Sequence, residues 1–439
     1  MNWNLKDIFK SEEDFKNAQK EIESKLKEIG EYRGRLGEKA ESLYNCYKLY
    51  EETLEIYERV YSYGMLTYHL DMADNKGKKL YKTVESIGTE FEKVTAFITP
   101  EITKIENEKL LSFINNESKL ERYRRELEEI MKEKEHVLSE KEEELLANYS
   151  EVFSSMEDTF DTLTNTEFKF GNLIDSEGKE QELTDSNYTY YLKDKDENVR
   201  KQAFDLMYKK YSEFVHTIGE LYITNVKADT ITSRLRKYNS SLERAVDHDD
   251  ATIKVYNSLI EAVHKNINVN HEFMKIKKDL LGKDNMHLYD IYVNPIEVED
   301  DNISYEEASN QVLNALSVIG EEYVSKLKEA FLNNWIDVYE RTNKRSGAYS
   351  MGVYGVHPYV LTNFVNKKRD VSTIAHELGH AMHSYYSNTN QNVIDANYTI
   401  MVAEIASTTN EILLAMYQIN HEQDKNKKKE LIYELLEMF

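Results

Sequence analysis

Cysteine is all but absent: Cys46 is the single one among 439 residues. No disulfide can form within the chain, a Cys-based zinc site is excluded, and one unpaired thiol fits a reducing compartment. Proline is almost as scarce, at 3, and glycine numbers only 15, so the commonest helix breakers are missing over long stretches. No run of about 18 apolar residues occurs, which leaves nothing to cross a membrane as a helix. The N-terminus, MNWNLKDIFKSEEDF, has no apolar core of signal-peptide type. These absences make the cytoplasm the expected location. Positive charge is also in deficit: 56 Lys and Arg against 80 Asp and Glu give a formal net charge of -24. Such a chain is repelled by nucleic acid and by anionic membrane, and neither is expected as a partner.

What is present points to helices. Hydrophobic residues make up 40% of the chain, enough for a sizeable core despite 31% charged residues. The length implies two or three domains or one large two-lobed body. The 32 tyrosines, many on helical stretches, are expected mainly in core and interface packing. SEEDFKNAQKEIESKLKEIGEYRGRLG opens with Ser11 and carries Glu13 and Asp14 in its first turn, the charge bias of a helix start. Leu120, Tyr123, Leu127 and Ile130 recur at spacings of three and four within a charged, solvated helix pattern. Ser139 and Glu142 form a capping box for the next helix. TEFKFGNLIDSEGKEQELTDS breaks the pattern and reads as a short hairpin or irregular loop around Gly178. After Asp194 a long helical pattern resumes, and a further helix ends near Gly282. Residues 288–298, LYDIYVNPIEV, read as extended, with Pro295 closing off any helix. An N-terminal helical lobe over 1–190 and a catalytic domain over 191–439 are the expected division.

Gly347, Gly352, Gly355 and Pro358 then cluster shortly before YVLTNF, Tyr359 to Phe364, which reads as a strand. Directly after it comes STIAHELGHAMHSYYS. Asp370 is the expected N-cap of a helix running through Tyr386. On it His376 and His380, four residues apart, project from one face, about 40° apart around the axis. Two neutral imidazoles so placed suit one Zn²⁺. Glu377 beside them suits the removal of a proton from a water that the metal acidifies. The alternative is an ordinary helix whose His and Glu face solvent. A third ligand is needed for a catalytic zinc. The metzincin pattern would place glycine and histidine three and six residues past His380; the chain has His383 and Tyr386, so that class is excluded. A carboxylate from the next helix, NYTIMVAEIASTTNEILLAMYQI, is the other solution. Glu404 lies between apolar Met401, Val402, Ile405 and Ala406, and a carboxylate there requires a partner or a cation. Glu411, seven residues on, is expected to hold a ligand imidazole through its second nitrogen. His383 is expected to support the site or pack beside it rather than ligate.

HELGHAMHSYYS followed by YTIMVAEIASTTNE resembles the oligoendopeptidase F family of zinc metallopeptidases, in the same group as thimet oligopeptidase and neurolysin. GVYGVHPYVLTNF, WNLKDIF and SSLERAVDHDD are similar to that family too, so the resemblance spans nearly the whole chain. It implies that His376, His380 and Glu404 ligate one zinc per chain and that Glu377 is the general base. The implied fold is mainly α: a two-lobed helical zincin-type metallopeptidase with a small β element near the active site and a deep channel admitting short unstructured peptides. YVLTNF would be the edge strand pairing with the substrate backbone, with His357, Tyr359 and Val360 as substrate contacts. Family members continue past the equivalent of Phe439, and their last part carries Tyr and His residues for the oxyanion. The ending KKKELIYELLEMF therefore reads as a truncation, and a chain that binds zinc but cleaves peptides poorly is expected. The rival readings are a non-catalytic peptide-binding helical scaffold and a purely structural or metal-free helical assembly.

Overall fold

The computed structural model describes residues 3–296 and 302–438, and most of them are helical. The chain divides into two compact units. One joins Met1–Val137 to Glu299–Leu435, the other joins Leu138–Val298 to Leu436–Phe439. This cut differs from the division at residue 190: the first helices and the segment carrying His376 to Glu411 share one unit.

In that first unit the helix Glu12–Gly30 begins where its composition dictates. The Ser11 hydroxyl accepts from the Asp14 N–H at 3.1 Å, and Glu12, Glu13 and Asp14 occupy the first turn. Phe15, Ala18, Ile22, Leu26 and Ile29 form its buried stripe against the helices Ala40–Leu70 and Asn75–Thr95. Leu120, Tyr123, Leu127 and Ile130 are all buried, as their spacing requires. The backbone changes between them, from a 3₁₀ stretch, Ser118–Tyr123, to the α-helix Arg124–Glu133.

The same unit holds a three-stranded sheet whose spatial order is Ile336–Tyr339, Tyr359–Phe364, Tyr349–Met351. YVLTNF is thus the middle strand, parallel to the first and antiparallel to the last, and the expectation of an edge strand is corrected. The cause is its composition. An almost continuous apolar run suits a strand covered on both faces, and Tyr359, Val360 and Leu361 are buried. Trp3, Ile8 and Leu66 pack with Val353, Tyr359 and Leu361 in a small core beside this sheet.

In the second unit Glu142 accepts from the Ser139 N–H (2.9 Å) and hydroxyl (2.6 Å) at the start of helix Glu140–Asp161. The hairpin forms: Asn172–Ile174 pairs antiparallel with Glu180–Glu182, and Gly178 takes φ +79° in the turn. Phe168 and Phe170 join Leu173, Val199 and Met207 in the core. The long pattern after Asp194 divides at Phe214 into the helices Glu197–Glu213 and Val215–Leu235. Helix Ile253–Leu280 stops just before Gly282, as expected. The start of the 288–298 stretch departs from the extended reading. Leu288–Asp290 is a 3₁₀ turn that brings the buried Asp290 carboxylate to Arg200 (2.6 Å) and Lys283 (3.0 Å); residues 297 and 298 of that stretch lie outside the described residues.

Candidate metal centre and active site

The motif helix runs over Lys368–Asn390, longer than expected at both ends. Asp370 is its third residue rather than its N-cap. Its carboxylate reaches back to accept from the Lys367 N–H (2.9 Å) and the Val365 N–H (2.8 Å), satisfying donors that a helix start leaves open. The partner helix is Ile400–His421. The two cross at Gly379, where an added Cβ would lie 2.6 Å from Ser407 Cα and 2.7 Å from the Ala406 carbonyl oxygen. Only a residue without a side chain permits that approach.

The crossing brings three donor groups together. His376 Nε2 and His380 Nε2 are 3.1 Å apart, and each is 3.6 Å from Glu404 Oε2. Two ligands on a tetrahedral zinc, at bonds of about 2.1 Å, lie about 3.4 Å apart. The triangle therefore fits the ion in donor type and size. The outward nitrogen of His376 is also held. His376 Nδ1 lies 3.2 Å from Glu411 Oε2, and Glu411 accepts from the Ser372 hydroxyl at 3.0 Å. His380 makes a backbone hydrogen bond to Ala403. The Ser407 hydroxyl donates to Glu404 Oε2 at 2.7 Å. Glu404 itself is not enclosed by its apolar neighbours, because Met401 and Ile405 are exposed. Its partners across the crossing meet the requirement that the sequence assigned to burial.

The charges interlock. The Glu411 hydrogen bond raises the pKa of His376 against the effect of burial. Burial, followed by the charge of His376, lowers that of His380. Burial pushes Glu411 up, and the hydrogen bonds from His376 and Ser372 with the His376 charge outweigh it, leaving the carboxyl below its usual range. Glu377 faces the other way: burial first, then the Glu404 and Glu411 carboxylates, push it up to about 7. Its Oε2 is buried with no hydrogen-bond partner among the described residues. A carboxylate near neutrality with an open oxygen is equipped to accept and return a proton.

The remaining candidates lie apart from this triangle. His383 stacks on Tyr398, with ring centroids 3.7 Å apart, and lines a cavity of about 420 Å³ with Tyr323, Met382 and Val402. His357 lies flat on Trp335, its Nε2 3.1 Å from the Asp7 carboxylate. The Tyr359 hydroxyl donates to the Asn4 carbonyl and the Val360 N–H to the Trp335 carbonyl. The polar groups of these three are thus engaged elsewhere. Sequence reasoning missed Ser372, Ser407 and Asn410, whose amide donates to the Ala375 carbonyl at 3.0 Å. Their signal was weak: Ser372 and Ser407 are polar residues one turn from a candidate ligand, and Asn410 adjoins Glu411.

The model of peptidase family M3 matches residues 190–439, and that of oligopeptidase F matches 101–170. Oligopeptidase PepF of Bacillus subtilis is 36% identical over 437 residues, covering 100% of this chain and 65% of that protein. The chain thus spans less than two thirds of that relative's length. An oligoendopeptidase F homolog of Borreliella burgdorferi is 35% identical, covering 97% of this chain and 72% of the relative. The crystal structure of a putative peptidase from Chlamydophila abortus superposes with a TM-score of 0.88 at 29% identity, over 100% of this chain and 73% of that one. Oligoendopeptidase-F from Enterococcus faecium gives 0.68 at 25% identity, over 98% and 71%. With the family M3 model spanning both crossing helices and oligoendopeptidase F relatives matched over nearly the whole chain, the chain belongs to peptidase family M3, in its oligoendopeptidase F branch.

Proposed function

We propose that this chain is a zinc metalloendopeptidase that hydrolyses short, unstructured oligopeptides. The observation that carries the reading is the convergence of His376, His380 and Glu404 beside a buried, protonatable Glu377. Those three residues would hold one zinc, which supplies Lewis-acid polarisation of water and of the scissile carbonyl when bound. Glu377 takes the proton of the attacking water and passes it to the leaving amine. Glu411 and Ser372 hold the His376 ring in the tautomer that leaves Nε2 free, and His383 packs behind the site on Tyr398.

Peptide backbone is assigned to the strand Tyr349–Met351 rather than to YVLTNF. It stands at one side of the sheet and packs against the motif helix, with Gly352 against Ser384. Ser384 and Glu377, seven residues apart, lie within about 20° of each other around the helix, so this side of the sheet meets the face that carries the base. Pairing with an open strand suits an extended peptide and no folded protein. A cytoplasmic setting belongs to the same reading. Among the described residues no helix is long and apolar enough to cross a membrane.

The test is zinc content and peptide turnover of the chain, of Glu404→Ala and of Glu377→Gln. Near one zinc per chain, lost in Glu404→Ala and retained without turnover in Glu377→Gln, is the expected result. A Glu404→Ala variant with full zinc removes Glu404 from the ligand set. Turnover by Glu377→Gln removes Glu377 from the mechanism.

A further inference from the structure

The strand Tyr349–Met351 is short and, among the described residues, paired on one side only, with Tyr349 opposite Leu361, Ser350 opposite Val360 and Met351 opposite Tyr359. A strand of this kind frays unless something outside the sheet holds it. The hold comes from the C-terminal end of helix Ala40–Leu70. His69 is buried there, and its Nδ1 shares a 2.8 Å hydrogen bond with the Tyr349 hydroxyl. The two rings meet edge to face, 5.5 Å apart and 76° inclined. Two backbone bonds stitch the same places together: the Arg345 N–H donates to the His69 carbonyl at 3.0 Å, and the Met72 N–H to the Asn343 carbonyl at 2.8 Å. Burial, reinforced by the Arg345 charge, pushes His69 down to about 4, so the imidazole is neutral around pH 7.

We infer that His69 is a positioning residue for peptide binding: through Tyr349 it sets the register and tilt of the strand that receives the peptide backbone. The inference rests on the peptidase reading above. It is independent of the metal site in its chemistry, because His69 lies on neither of the two crossing helices. Side chains alternate along a strand, so fixing the Tyr349 ring fixes which way the Ser350 backbone N–H and carbonyl point.

The experiment uses the Glu377→Gln chain, so that peptide is bound but not consumed. Affinity for a fluorescein-labelled peptide of about ten residues, zinc content and thermal midpoint are measured on it and on four derivatives. These carry His69→Phe, Tyr349→Phe, both changes, or His69→Gln. Each single change to Phe is expected to weaken binding about 5- to 10-fold, the worth of one buried neutral hydrogen bond. The double variant should be no weaker than the worse single one, because both delete the same bond. His69→Gln, which restores a hydrogen-bonding side chain, should recover most of the affinity, and zinc should stay constant throughout. Tyr349→Phe removes one oxygen and guards against misfolding of the His69 variant. Unchanged affinity in the singles, strictly additive effects, or zinc lost in step with peptide would overturn the inference. Full zinc without peptide binding in the starting chain would sink both this and the peptide reading. Peptide binding that depends on His69 in a chain without zinc would uphold the inference and reject the metal assignment.

Discussion

Gly379→Ala is the sharpest probe of the site. The added methyl would sit 2.6 Å from Ser407 Cα and 2.7 Å from the Ala406 oxygen, both backbone atoms of the partner helix. Carbon contacts are comfortable at about 3.5 Å, so the helices must part by roughly 1 Å. Metal sites tolerate ligand displacements of about 0.2 Å. His376 and His380 ride on one helix and Glu404 on the other, at 3.6 Å, so the separation falls directly across the triangle. Overpacking of this kind costs about 1–3 kcal/mol. Zinc affinity should fall by at least about 10-fold, the scale seen when a ligand's support is lost. The assay is competition for zinc with a chromophoric chelator, alongside thermal unfolding with and without zinc. Gly219→Ala is the control: it lies within helix Val215–Leu235, with nothing within 4 Å of its added Cβ, and should stabilise by about 0.5–1 kcal/mol. A Gly379→Ala chain that holds zinc within twofold of the parent and melts unchanged would refute the account of the crossing.

Three other outcomes follow from the packing. Glu58 is pushed up to about 7, chiefly by burial. Its folded pKa exceeds the unfolded 4.5, so the folded state holds the proton more tightly and stability falls as pH rises from 4.5 to 7. Glu58→Gln should therefore stabilise at pH 8 by up to about 3 kcal/mol and do little at pH 4, as denaturant melts would show; equal effects at both pH values contradict this. Cys46 is buried with its thiol pushed up to about 12 by burial, so a thiol reagent should label it only on unfolding. Lys344 and Asp337 form a fully buried pair at 2.6 Å, and Lys344 also donates to the carbonyls of Tyr339 and Thr362. Lys344→Met leaves Asp337 its Arg341 partner, at 2.7 and 3.0 Å, and should cost about 1–3 kcal/mol for the buried acceptors left unpaired; a melt within about 0.5 kcal/mol of the parent would show the pair to be dispensable.

The local elements were readable because their causes are local. Ser11 and its acidic first turn, the stripe from Phe15 to Ile29, the hairpin around Gly178 and the helix stop before Gly282 each depend on residues within one or two turns. His376 and His380 were visible as a pair for the same reason, since helical spacing alone aligns them. Glu404 and Glu411 were visible as candidates on one helix face, but the reason offered for Glu404, enclosure by apolar neighbours, is not the one the fold uses. Asp370 sits one turn later than an N-cap because an acidic residue is favoured in both places: as an N-cap it accepts from N–H groups further along, and at the third helical position it accepts back from the residues before the helix.

Helix content, the lone thiol, the charge deficit and the two-histidine motif were determined by sequence, because periodicity, composition and short spacings carry them. Tertiary structure decided what depends on distant residues meeting. It placed YVLTNF in the middle of its sheet, since strand order depends on segments over 20 residues apart. It turned residues 288–290 inward to meet Arg200, some 90 positions earlier. It also made Gly379 the contact that brings two imidazoles and a carboxylate to one point, because no local pattern records how closely two helices will cross.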